Sequence, residues 1–153
     1  MYDSSGKICG LQEHYWDGDK HIKKCMAGSK HGVFKPNIQF DPDKPLFIAE
    51  GFSDCAVLVE MGFQAIGKFN ALHKLNKDFI RQFKRFKQVI IVSDTDECGR
   101  KGSQELANKL SAVKIIYPQT VHGVTQFYYN DIREMYLSEG KDKTKQWIEE
   151  RIC

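Results

Sequence analysis

Between residues 46 and 118 short apolar runs alternate with longer amphipathic ones, and few folds accept that alternation. LFIAE (46–50), QAIG (64–67), QVIIVS (88–93) and VKIIYP (113–118) read as strands, being short and mostly rich in β-branched residues. SDCAVLVEMG (53–62) reads as a helix with Ser53 or Asp54 as its cap and Gly62 as its stop. Residues 72–85 place Leu72, Leu75, Phe79 and Phe83 near the helical period, and 100–110 turn Leu106 and Leu110 inward. Helices are also expected over 130–138 and 142–152. Strand and helix in succession imply right-handed crossovers and a parallel sheet. The expected fold is α/β, with a four-stranded, mostly parallel sheet flanked by helices.

The first forty residues follow another pattern. They are rich in Gly, Lys and His, and their apolar residues come in short pairs such as Ile8-Cys9 and Val33-Phe34. Short antiparallel strands with turns at Gly10, Gly18 and Gly32 fit them best. DPDKP (41–45) reads as a linker, since proline removes a donor and biases its neighbour away from helix. The layout is then a small basic β-rich subdomain over 1–40, a main domain over 46–140 and a C-terminal helix over 141–153.

Composition excludes some classes. No apolar run approaches the ~20 residues that span a bilayer, and MYDSSGK lacks the layout of a secretory signal. The five cysteines, Cys9, Cys25, Cys55, Cys98 and Cys153, form no CxxC pair and are odd in number, which suits free thiols in a reducing cytoplasm. The spacing of Cys9, His14, His21 and Cys25 does not match paired zinc knuckles, so no zinc is expected. Net charge is only +3, but Lys and Arg crowd into 20–35 and 74–101.

The chemistry concentrates in IIVSDTDECGRKGS (90–103), where an apolar strand ends in two aspartates one residue apart. Ligands in such sheets collect at the carboxyl edge, and Glu50-Gly51 ends the first strand at that same edge. Like charges held together raise one another's pKa, so a cation is their natural partner. Mg²⁺, which takes one or two carboxylates and leaves the rest of its shell to water and phosphate, suits them. The plain alternative is that Asp96 caps the following helix. Asp54 also reads first as a cap.

EGFSDC (50–55) followed by IIVSDTDECGRKGSQELANKL (90–110) resembles the Toprim domain of primases, phage primase-helicases, topoisomerases and some nucleases. GKFNAL (67–72) is similar to the glycine-and-asparagine turn found there after the second strand. GKICGLQEHYWDGDKHIKKCMAGSKHGVFKPN (6–37) resembles the small subdomain that precedes Toprim in primases and is lacking in topoisomerases and Toprim nucleases. The sequence departs from that family twice. Tyr128 stands where an acidic residue usually opens the motif that here reads YYND (128–131), and Glu13-His14 stand where an arginine usually follows G-L-Q.

The resemblance implies metal-dependent RNA primer synthesis on single-stranded DNA, using Mg²⁺ or Mn²⁺. Glu50 would be general base or metal organiser, Asp94 and Asp96 the metal ligands, and Asp131 either a further ligand or a helix cap. Lys23, Lys24, Lys30, Lys68, Asn70, Arg100 and Lys101 would meet nucleic acid or nucleotide. Partners would be template DNA, nucleoside triphosphates and a helicase, in the cytoplasm of a bacterium or a phage-infected host. No P-loop occurs, and the sequence reads as a piece of a larger replication protein. A Toprim nuclease and a non-catalytic nucleic-acid-binding domain are the alternatives.

Overall fold

The computed structural model describes residues 1–122 and 125–152. Four strands, β3 (Leu46–Ala49), β4 (Ala65–Gly67), β5 (Val89–Val92) and β6 (Val113–Ile116), form a wholly parallel sheet in the order β4-β3-β5-β6. The two-residue period of the strands divides the core. On one face Phe47, Ala49, Ile90 and Val92 pack with residues of α1 (Phe52–Glu60), α4 (Ile132–Glu139) and α5 (Lys141–Ile152), among them Leu58, Met135 and Ile148. On the other, Leu46, Ile48, Val89 and Ile91 meet Phe79 and Phe83 of α2 (Lys77–Phe83) and Leu106 of α3 (Glu97–Ala107). Burial on both faces explains why β3 and β5 read as continuous apolar runs. Each such Ile or Leu contributes roughly 1.5–3 kcal/mol through burial.

Strands β1 (Gln12–Asp17) and β2 (Lys20–Cys25) form a separate antiparallel hairpin. Gly18 lies in its turn with φ +58°, a conformation that L side chains rarely adopt. The other two glycines expected at turns serve a different purpose. A Cβ on Gly10 would stand 2.6 Å from the Lys30 carbonyl oxygen, and one on Gly32 would stand 2.4 Å from that of Tyr2. Both let two backbone segments cross closely. The segment is joined to the sheet where Phe34 and Gly67 exchange backbone hydrogen bonds of 2.8 and 2.9 Å.

The structure corrects several boundaries. Gly51 is the N-cap of α1, and neither Ser53 nor Asp54 caps it. Helix α2 begins at Lys77 and not at residue 72, because Asn76 Oδ1 accepts from the backbone N–H groups of Asp78 (3.1 Å) and Phe79 (3.0 Å); Leu72 is exposed. Helix α3 begins at Glu97 and not at residue 100, capped by Asp96. A second hairpin, β7 (Gln119–His122) with β8 (Thr125–Tyr128), leads into α4 and was not expected. Cys9, Cys25, Cys55 and Cys98 are free thiols, and Cys153 lies outside the described residues. Among the described residues no helix is long and apolar enough to cross a membrane.

Candidate functional site

Helix α1 leaves β3 toward one face of the sheet and α3 leaves β5 toward the other. A crevice therefore opens between the carboxyl ends of these adjacent parallel strands, where open α/β sheets bind ligands. Their register pairs Ile48 with Ile91, and its continuation brings Glu50 beside Ser93. Glu50 is 7% exposed. Its Oε1 accepts from the backbone N–H of Asp94 at 3.2 Å and from the hydroxyls of Ser93 and Ser103 at 3.4 Å each. Its Oε2 is buried without a hydrogen-bond partner among the described residues. Burial holds the Glu50 carboxyl above its usual range, while the Lys68 charge pulls it down.

Asp94 stands at the centre of the acidic groups. Burial and then the charges of Glu50, Asp54, Asp131 and Asp96 push its pKa up to about 8. The neighbouring backbone fixes its position. A Cβ on Gly99 would lie 2.7 Å from the Asp94 carbonyl oxygen, so only glycine lets the first turn of α3 close over this residue. Asp96 spends one oxygen on that turn, Oδ1 accepting from Gly99 N–H at 2.6 Å. The i and i+2 aspartates therefore do not extend the strand as a matched pair. One lies in the crevice and the other caps a helix.

Asp131 arrives from a distant part of the chain. Thr95 N–H donates to the Asn130 carbonyl and Thr95 Oγ1 to that of Tyr129, both at 3.0 Å, which ties the segment before α4 to the acidic loop. Asp131 caps α4 through Glu134 N–H at 2.6 Å and meets Arg133 at 3.3 Å. Asp54, expected only to cap, is 7% exposed, and its Oδ1 is buried without a hydrogen-bond partner among the described residues. Burial and then Asp131 push its pKa up to about 6. Sequence reasoning missed this residue, although its place four residues after Glu50 puts it one helical turn beyond the strand end.

The expected basic residues divide. Lys23, Lys24, Lys30, Asn70, Arg100 and Lys101 are exposed. In the β1–β2 register Lys23 lies opposite His14 and Lys24 opposite Glu13, so the two lysines occupy opposite faces of the hairpin. Arg100 is held by its Nε–H on the Thr95 carbonyl (2.9 Å) and by the Tyr117 ring, 4.6 Å away. Lys68 is only 2% exposed, and its Nζ donates to the Ala71 carbonyl at 2.6 Å. Burial lowers its pKa, against the pull of Glu50 and Asp94. It lies within the fold as a counter-charge to the acids.

The donor chemistry suits a hard divalent cation: among the described residues one buried oxygen of Glu50 and one of Asp54 lack partners, and like charges lie near Asp94. Among the described residues no three His, Cys, Asp or Glu side chains are already drawn together on one ion position. Comparison with known proteins follows the same lines. The sequence matches the Toprim-like family profile over residues 47–134. The primase fragment of the bacteriophage T7 primase-helicase protein superposes with a TM-score of 0.70 at 21% identity, over 99% of this chain and 60% of that one. A chain in a structure of the T7 lagging-strand DNA polymerase interacting with primase domains of two gp4 subunits, bound to an RNA/DNA hybrid and dTTP, matches at 0.64 and 20%, over 99% and 74%. The DnaG catalytic core matches at 0.62 and 17%, over 98% and 51%. The chain thus spans about 60% of the phage fragment and about half of the DnaG core. These likenesses establish a shared fold. No curated protein matches the sequence.

Proposed function

The chain belongs to the Toprim-like family, and from that premise we propose that it is the catalytic core of a primase-type nucleotidyl transferase, making RNA primers on single-stranded DNA. The observation that carries the reading is that Glu50 accepts from Asp94 N–H, that the Thr95 bonds tie the segment of Asp131 to the acidic loop, and that Glu50, Asp54, Asp131 and Asp96 all lie near enough for their charges to raise the Asp94 carboxyl. Asp94, the second oxygen of Asp96, and the Glu50 and Asp54 oxygens that have no partner among the described residues would hold Mg²⁺ or Mn²⁺. The ion would supply a Lewis acid that neutralises charge on transferring phosphates. Glu50, only 7% exposed, would act as general base or orient the ligand set. Lys68 offsets part of the negative charge from inside. Arg100, fixed by Thr95 and Tyr117, would present its guanidinium to phosphate with little ordering cost. Lys23, Lys24, Lys30, Asn70 and Lys101 would contact template or nucleotide through sequence-independent, salt-sensitive interactions.

The similar structures include primase domains with an RNA/DNA hybrid and dTTP and the primase fragment of a primase-helicase, which supports strand, nucleotide and helicase as partner classes for this chain. The test is oligoribonucleotide synthesis on a single-stranded template with Mg²⁺ or Mn²⁺, carried out with the chain alone and with any longer form that contains it. Asp94→Asn should remove the product. A wild-type protein that makes none in either form contradicts the reading. One observation favours the non-catalytic alternative. Asp96 and Asp131 each commit an oxygen to a helix cap at 2.6 Å. That alternative requires strand binding with little dependence on divalent ions.

A further inference from the structure

The β1–β2 hairpin sorts its side chains by chemistry. Glu13 lies opposite Lys24 and Asp17 opposite Lys20, so both acids of β1 share one face with two lysines. The other face carries Gln12, His14 and Trp16 from β1, with Lys23 opposite His14 and Cys25 opposite Gln12. None of these five is acidic. Trp16 is 69% exposed although it is the largest apolar side chain in the hairpin.

That face continues onto the main sheet. The His14 ring meets Phe52 edge-on at 6.0 Å, and Phe52 meets Phe34 edge-on at 5.6 Å. Phe52 is the first residue of α1, two residues after Glu50, and is 51% exposed. Trp16, His14 and Phe52 therefore form an aromatic row that begins on the hairpin and ends at the acidic edge, with Lys23 beside it. Exposed aromatic rings with a lysine beside them, on a hairpin face that carries no acid, are what a single strand needs: bases stack on the rings and phosphates meet the lysine. A second protein seated there would leave Lys23 facing an apolar patch, whereas a polyanion satisfies it.

We propose that Trp16, His14 and Phe52 form a base-stacking wall that carries a single-stranded nucleic acid to the acidic edge. The proposal deepens the function proposed above and rests on it. The wall accepts any base, since every base presents a π-face, and it sets strand affinity rather than sequence preference.

The experiment compares a short oligothymidylate with an abasic strand of equal length and charge. Trp147 is 7% exposed with Arg151 over its ring, so a fluorescence change on binding reports Trp16. The oligothymidylate should alter the emission and the abasic strand should not. Trp16→Ala should weaken oligothymidylate binding by roughly 5- to 100-fold, measured by anisotropy of a labelled strand, and leave abasic binding unchanged. Phe52→Ala should act in the same direction. Equal binding of both strands, or unchanged affinity in Trp16→Ala, overturns the wall while leaving strand binding intact. Failure of the wild type to bind either strand overturns the strand-binding function together with the wall. Because Trp16 is mostly exposed, its replacement leaves the core untouched.

Discussion

Asp94 folds at a cost that depends on pH. Its carboxyl is raised from 3.8 to about 8, and that of Asp54 to about 6. The folded chain thus holds these protons more tightly than the unfolded chain does. The resulting stabilisation is complete below the ordinary carboxylate range and is lost as pH rises through about 6 and then about 8. The metal-free protein should therefore melt at a lower temperature near pH 8.5 than near pH 5.5, and Mg²⁺ should raise the melting temperature mainly at the higher pH. Thermal unfolding in chelator and in Mg²⁺ at both values checks this. Asp94→Asn should stabilise the chelated protein at the higher pH by several degrees and abolish the effect of Mg²⁺. Lys68 acts in the opposite sense. Lys68→Met leaves buried carboxylates without their internal counter-charge and should destabilise the chelated protein by about 1–3 kcal/mol, measured by denaturant unfolding. Arginine at that position should not rescue it, because the Ala71 carbonyl stands 2.6 Å from the ammonium.

Close backbone approaches at the level of elements set the crevice. Gly67 lies against the Gly51 carbonyl, where a Cβ would come within 2.4 Å, and Gly102 lies against that of Ala71 at 2.2 Å. Gly102→Ala must push α3 away from the loop that holds Lys68, and should cost about 1–3 kcal/mol with loss of Mg²⁺-dependent stabilisation, both read from melting curves. Thr95→Val removes one of the two bonds to the segment before α4 and should weaken ion affinity more than it lowers stability. The strands that carry this edge were legible from their apolar runs, and Glu50, Asp94 and Asp96 from the acids at strand ends. Helix starts were less legible. Asn76 and Asp96 win their caps through local side-chain bonds that compete with the apolar period, so α2 starts later and α3 earlier than periodicity indicates. Asp54 read only as a cap because the groups that act on its carboxyl, Asp131 and Arg133, lie far along the chain. Lys68 read as a nucleic-acid or nucleotide contact because only the packing of α3 shows that its ammonium is enclosed.

For the whole molecule, the parallel sheet brings three sequence regions to one edge: β3 with α1, β5 with α3, and the start of α4. The hairpin of the first forty residues stands beside that edge through Phe34, Phe52 and His14. Under the proposed function, phosphate chemistry and strand guidance would come from different parts of the chain, and the β7–β8 hairpin is the part that the sequence pattern did not signal. The central claim is that the carboxylates around Asp94 hold one divalent ion. Mn²⁺ titration followed by paramagnetic broadening tests it most directly. The account predicts saturable broadening confined to Glu50, Asp54, Asp94, Asp96 and their neighbours, absent in Asp94→Asn. Binding that leaves those residues sharp, or that persists undiminished in Asp94→Asn, would contradict it.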